Sequence, residues 1–190
     1  MIILKPCKEE VEKYLIKWNT LENYVLQEKS LDKLFFDIIP ENNEIEDVLI
    51  KCSTLNDFYS TNIFSIFPVA KKIYNLNIDE RLKKGDLTLV NDITYVEELN
   101  KHFYSFATKY CSHHNPHVYP IYDSYVDKIL RYFRKEDNFC KFKNDDLKNY
   151  LKFNEILQSF IEFYNLKEYN IKQIDKYLWQ LGKKYFKKKY

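Results

Sequence analysis

The sequence predicts an all-α fold on three observations. Apolar residues recur at three- and four-residue spacing almost throughout, strand-like alternation is rare, and glycine occurs only at Gly85 and Gly182 in 190 residues. The length suits one cooperative domain, 1–190, or at most two closely joined subdomains, with a core that needs no covalent staples.

The elements follow in order. Pro6 fits a first helical turn and leads into a helix to about Trp18, and Thr20 can cap a second helix that runs to about Phe36. Ile39-Pro40-Glu41-Asn42-Asn43 breaks it. From about Ile45, the positions Val48, Leu49, Cys52, Leu55 and Phe58 define one helical face, and Ile63, Ile66, Phe67, Ala70 and Ile73 define the next, with Ser60-Thr61-Asn62 as the cap. A short helix from Asp79 to Lys83 ends at Gly85, and Asp86 caps another through Val90. Thr94-Tyr95-Val96-Glu97 has the spacing of a capping box and predicts a helix to Ser112, stopped by Asn115-Pro116. Helices over Tyr122 to Arg134, Asp145 to Tyr164 and Ile171 to Phe186 complete the chain.

Composition removes several function classes. A net charge of +2 generates no strong field of either sign, so partners must be recognised locally. The Tyr-rich and Lys-rich bias is one that an AT-rich genome alone can produce, so it carries no functional weight. Scarce glycine excludes phosphate cradles of the GxGxxG and Walker kinds. Cys7, Cys52, Cys111 and Cys140 are widely spaced and fit reduced thiols in a cytoplasmic protein. The apolar start is too short for a signal peptide, and no run reaches the roughly 20 apolar residues of a membrane span. The five lysines of the tail Lys183 to Tyr190 read as a solvated helix end.

Chemistry-bearing residues concentrate between Lys101 and Val126, a stretch that holds all four histidines, a cysteine and Asp123. On the predicted Thr94 to Ser112 helix, Val96, Leu99, Phe103, Phe106, Ala107 and Tyr110 form the apolar side. Lys101, Ser105, Thr108 and Ser112 form a polar stripe beside it. Cys111, His113, His114 and His117 have metal-ligand chemistry, but Cys-x-His-His-x-x-His with Pro116 before the last histidine is no standard zinc spacing, so no metal or other cofactor is expected. A Cys111–His114 nucleophile pair lacks an evident orienting carboxylate.

A lysine, a helix, a short loop and then Tyr119-Pro120-Ile121-Tyr122-Asp123-Ser124-Tyr125-Val126 resemble the helix-hairpin-helix DNA glycosylase superfamily, which includes endonuclease III and the 8-oxoguanine glycosylases. Lys101 to Lys109 looks like the lysine-led helix of that family, particularly of its archaeal 8-oxoguanine branch. The resemblance covers a core over residues 45–135, with 1–44 and 136–190 as flanking helices that complete a second subdomain. It implies a compact two-subdomain helical fold and a base-excision glycosylase with abasic-site lyase activity, acting on damaged or modified DNA. Lys101 is then the Schiff-base nucleophile and Asp123 the assisting carboxylate. Asn56, Phe58, Tyr59, Tyr122 and Ser124 are the implied substrate contacts, and Asn91, Asp92, Thr94 and Lys109 the implied DNA contacts.

The chain departs from that family at the hairpin. The glycine-rich turn that brings backbone N–H groups to a DNA phosphate is replaced by Leu89-Val90-Asn91-Asp92-Ile93-Thr94 and the residues after it. Either Asn91-Asp92 supplies a substitute turn or the phosphate anchor is missing. The alternative reading is a non-catalytic helical module of the same architecture that binds nucleic acid or a protein.

Overall fold

The computed structural model of the chain describes residues 3–186 and is predominantly helical. The basic tail beyond Phe186 lies outside the described residues. Ten α-helices are joined by short turns and one small hairpin among the described residues. The chain divides into two compact units, one made of Asn23–Ile121 and the other of the N-terminal segment through Glu22 with the chain from Tyr122 onward. The boundary between the units, after Ile121, falls inside the 45–135 stretch that the resemblance covers and before Asp123.

The contiguous unit begins within α2 (Glu22–Asp32), which continues into a single π-helical turn, Lys33–Ile38. Phe35 on that turn is buried and meets the ring of Tyr110 edge-on at 5.7 Å. The predicted break at Pro40 follows. Helices α3 (Ile45–Phe58) and α4 (Ile66–Asn75) pack together through Val48, Cys52 and Leu55 on one side and Val69, Ala70 and Ile73 on the other. These are the faces the sequence spacing assigns. Helix α5 (Asp79–Lys84) ends at Gly85, whose φ of 69° is the left-handed value that glycine adopts at least cost.

Helix α6 (Leu89–Thr94), a two-stranded hairpin and α7 (Tyr104–His114) replace the single helix predicted from Thr94 to Ser112. Strands β1 (Tyr95–Val96) and β2 (Lys101–His102) pair antiparallel, Tyr95 with His102 and Val96 with Lys101. The physical reason lies in Val96, a β-branched residue that favours extended backbone, and in Asn100, which takes a left-handed φ of 48° to close the turn. The capping box does not form: Thr94 ends α6 and donates its hydroxyl back to Val90 O at 2.7 Å, while Glu97 pairs with Lys72 at 2.8 Å.

The second unit is discontinuous in sequence. Helix α1 (Lys8–Trp18) packs on α10 (Ile171–Tyr185), where Tyr14 and Tyr177 meet edge-on at 5.5 Å. Helix α8 (Ser124–Asp137) packs on the same α10, its Tyr125 lying against Gly182, and α9 (Tyr150–Phe163) adds Phe160 to a ring cluster with Phe133, Phe139 and Tyr164.

Candidate functional site

Lys101 sits on the strand that leaves the hairpin, not on a helix face, and its side chain is exposed. The hairpin holds it by short-range contacts. Tyr95 covers His102 with ring centroids 4.7 Å apart, the Tyr95 hydroxyl donates to Asn100 Oδ1 at 2.9 Å, and Phe103 N donates to Thr94 O at 2.7 Å. The chain thus runs helix, hairpin, helix from Leu89 to His114, with the lysine three residues before α7 begins. The expected polar stripe of Ser105, Thr108 and Ser112 is not a solvent face, because Thr108 and Ser112 are buried.

The expected DNA contacts separate. Asn91 and Asp92 lie in the right-handed backbone of α6 and make no turn, since Asn100 supplies the left-handed residue instead. Both are exposed, and Asp92 is held by Arg81 Nη2 at 2.7 Å. Thr94 is buried with its hydroxyl committed to Val90. Lys109 is only 3% exposed; its ammonium donates to Ser105 Oγ at 2.5 Å and stands 5.2 Å from the centre of the Tyr59 ring. Burial of Thr94 and Lys109 removes them from the surface that the sequence reading gave them.

Among the expected substrate contacts, Asn56 is a brace. Its Oδ1 accepts from Ile63 N at 2.9 Å and from the Thr61 hydroxyl at 2.7 Å, and its Nδ2 donates to Ile63 O at 3.0 Å. Phe58, the last residue of α3, is half-buried. The Tyr59 hydroxyl lies 2.9 Å from Nε2 of His113.

In the other unit, Asp123 is the N-cap of α8 and accepts from Tyr125 N at 2.7 Å, so its carboxylate lies at the positive end of a helix of 14 residues. Ser124 begins that helix and is exposed. The Tyr122 hydroxyl donates to Asp127 Oδ2 at 3.0 Å, and Asp127 also pairs with Arg131. Burial, then the adjacent Asp127 carboxylate, push the Tyr122 phenol above its ordinary pKa.

The histidine-rich stretch resolves into separate roles. His113 meets Tyr59, while His114 approaches Lys51 and meets the Phe35 ring edge-on at 4.9 Å. Among the described residues, no three His, Cys, Asp or Glu side chains converge as metal ligands. Burial pushes the Cys111 thiol far up, which opposes thiolate formation and a Cys111–His114 nucleophile.

Sequence reasoning missed Lys51. Its side chain is fully buried in α3, and its ammonium donates to Glu41 O at 2.7 Å, Asn42 Oδ1 at 2.6 Å and His114 Nε2 at 3.4 Å. Asn42 takes the Tyr110 hydroxyl at 2.6 Å and donates through its backbone N–H and side-chain amide to Asp79. Desolvation lowers the Lys51 pKa to about 8 against the pull of Asp79. His114 falls well below its ordinary value through burial and then the Lys51 charge, which leaves its ring neutral and able to accept.

Residues 10–118 match the family described as the HI_0787_N N-terminal domain. The chain belongs to that family. It is also similar to a protein of Haemophilus influenzae described as uncharacterized, at 52% identity over 147 residues, 76% of this chain and 70% of the relative. No solved structure matches the chain. The stretch matched by the HI_0787_N family contains the hairpin, Lys101 and the Lys51 network, and stops before Asp123. No helix among the described residues is long and apolar enough to cross a membrane.

Proposed function

We propose that the protein is a DNA base-excision glycosylase with abasic-site lyase activity, in which Lys101 is the nucleophile and Asp123 the assisting carboxylate. The observation that carries this reading is the run of α6, hairpin and α7, which delivers an exposed lysine at the hairpin exit. Asp123, the N-cap of the next long helix, is the carboxylate that this reading uses.

The chemistry requires few groups. The neutral Lys101 amine attacks the anomeric carbon of the target nucleotide, the bond to the base breaks, and the base leaves with a proton. Opening of the sugar ring gives a Schiff base, from which elimination cleaves the strand. The Asp123 carboxylate, placed at the N-terminal end of its helix, stabilises positive charge on the sugar as the base departs. No metal enters this scheme.

Borohydride trapping on duplex DNA with one abasic site tests the reading. The native chain is expected to give a covalent adduct and Lys101→Ala none. No adduct with the native chain, or equal adduct from the variant, overturns it. A second reading is favoured by the hairpin turn, where Asn100 stands in place of glycine: a non-catalytic module that binds nucleic acid or a protein partner. That reading expects salt-sensitive DNA binding without base release, or no DNA binding.

A further inference from the structure

The two tryptophans of the chain stand near its opposite ends in sequence, yet the fold brings them together. Trp18 is the last residue of α1 and Trp179 lies on α10, and their rings meet edge-on with centroids 6.0 Å apart. Tyr125, in the first turn of α8, meets Trp179 edge-on at 6.5 Å. All three helices belong to the discontinuous unit, and all three rings are half-buried, so part of each still meets solvent. Each ring also has an ammonium over it. Nζ of Lys176 stands 5.0 Å from the centre of the Trp18 ring, that of Lys183 4.7 Å from Trp179, and that of Lys128 5.8 Å from Tyr125.

Helix α10 accounts for this row. Its buried side, with Ile174, Tyr177, Leu178 and Leu181, packs on α1 and α8. Lys172, Lys176, Trp179 and Lys183 recur at i, i+4, i+7 and i+11 and so line one outer stripe, about 16 Å long at 1.5 Å per residue. The single carboxylate of α10, Asp175, is buried. On α8, Asp127 is buried and pairs with Arg131, and Asp123 is bonded to Tyr125 N as the helix cap. The stripe is therefore positive at its lysines and aromatic between them.

A partner for such a surface is anionic and offers flat apolar groups to the rings. An anionic membrane fits poorly, because an interfacial helix inserts an apolar face opposite its lysines, and the apolar face of α10 is already buried inside the protein. Acidic and phosphorylated peptides are best recognised by the arginine fork, whereas lysine alone supplies this row. Unpaired nucleic acid needs both groups that are present, ammonium ions for successive phosphates and rings for exposed base faces. No serine, threonine, asparagine or glutamine stands in the row to engage a ribose 2′-hydroxyl, which favours DNA over RNA.

We propose that Trp18, Trp179 and Tyr125, with Lys128, Lys176 and Lys183, form a binding surface for single-stranded DNA. Bases stack on the rings, and the ammonium groups exchange the ring faces for phosphates. The surface uses neither Lys101 nor Asp123 as a chemical group and goes beyond the lyase reading, which concerns the hairpin.

Because Trp18 and Trp179 are the only tryptophans, the intrinsic fluorescence of the full chain reports this surface alone. Titration with an unpaired oligothymidylate is expected to quench it saturably. The slope of log affinity against log salt is expected to flatten by about 0.7 in each of Lys176→Gln and Lys183→Gln. Trp179→Leu, which keeps an apolar residue but no ring, is expected to bind about tenfold more weakly, and Trp179→Phe to retain most of the affinity. Lys29→Gln, an exposed lysine in the last turn of α2, is expected to change neither affinity nor slope. The lysine variants touch no buried side chain, so they decide the question even if Trp179→Leu fails to fold. Absence of quenching, or quenching whose salt slope is the same in wild type and both lysine variants, overturns the proposal. Tighter binding of oligouridylate overturns the assignment to DNA. Quenching by phosphatidylserine vesicles or by polyglutamate without quenching by oligothymidylate overturns the surface as a nucleic-acid site, and so does self-association that Trp179→Leu abolishes. Borohydride trapping remains separate: its absence removes the lyase chemistry and leaves this binding intact, and loss of quenching removes this surface and leaves trapping through Lys101 intact.

Discussion

Asn42 Oδ1 receives two hydrogen bonds at 2.6 Å, one from the buried Lys51 ammonium and one from the Tyr110 hydroxyl. One amide oxygen therefore joins the loop after the π-helical turn to α3 and α7. The lysine is stabilised by donation to carbonyls and by the Phe35 ring 5.5 Å away, but desolvation outweighs these and its folded pKa falls to about 8.

Such a lysine makes stability pH-dependent in a defined direction. Between the folded value of about 8 and the unfolded value of 10.5, the unfolded chain binds more protons, so stability rises with pH. The difference in unfolding free energy between wild type and Lys51→Met is expected to shift by about 2 kcal/mol in favour of wild type from pH 8 to pH 10. Urea titrations across that range check it, and a difference independent of pH contradicts it.

Asp123 has a structural role that can be separated from a chemical one. Loss of the cap in Asp123→Ala is expected to destabilise by about 1 kcal/mol, while Asp123→Asn keeps an acceptor for Tyr125 N and nearly full stability. If the carboxylate also assists base departure, the asparagine variant loses base release while unfolding at the wild-type denaturant midpoint.

The two glycines are constrained differently. A Cβ on Gly182 would lie 2.6 Å from Tyr125 Cβ and 2.7 Å from Tyr125 O, so α10 and α8 must separate in Gly182→Ala. A loss of about 3 kcal/mol is expected. Gly85→Ala strains a left-handed residue and meets Val118 at 3.0 Å, for a smaller loss of about 1 to 2 kcal/mol. Thermal unfolding of both variants gives the order.

The thiols divide by burial. Cys52 and Cys111 are buried with pKa values pushed far up by desolvation, whereas Cys7 and Cys140 are half-buried. An aromatic disulfide reagent at pH 8 is expected to titrate Cys7 and Cys140 in the native protein, and Cys52 and Cys111 only after unfolding.

The helical faces of α3, α4 and α10 were legible because their apolar positions repeat at helical spacing over ten residues or more. The hairpin was hidden for a local reason. Val96, Leu99, Phe103 and Phe106 continue a helical repeat, and Thr94-x-x-Glu97 imitates a cap. The opposing signal was β-branched Val96 followed four residues later by Asn100, a residue that tolerates left-handed backbone. Lys51 was also legible in principle, since it falls between Val48 and Leu55 on the apolar face of α3, beside Cys52. Its partners were not, because Asn42 and His114 are 72 residues apart in sequence and only the folded chain joins them. Asp123 needed no tertiary information, as a carboxylate before an apolar helix caps it locally.

The placement of α1 opposite α10 has a consequence for biosynthesis. Gln180 Nε2 donates to Tyr14 O across 166 positions of the chain. A ribosome making this chain releases α1 well before its helical partner, whereas Asn23–Ile121 emerges as one uninterrupted block. That block can mature during translation, and the apolar stripe of α1, with Val11 and Tyr14, waits uncovered until synthesis has passed Leu181. Nascent chains stalled before α10 are therefore the forms most in need of a chaperone.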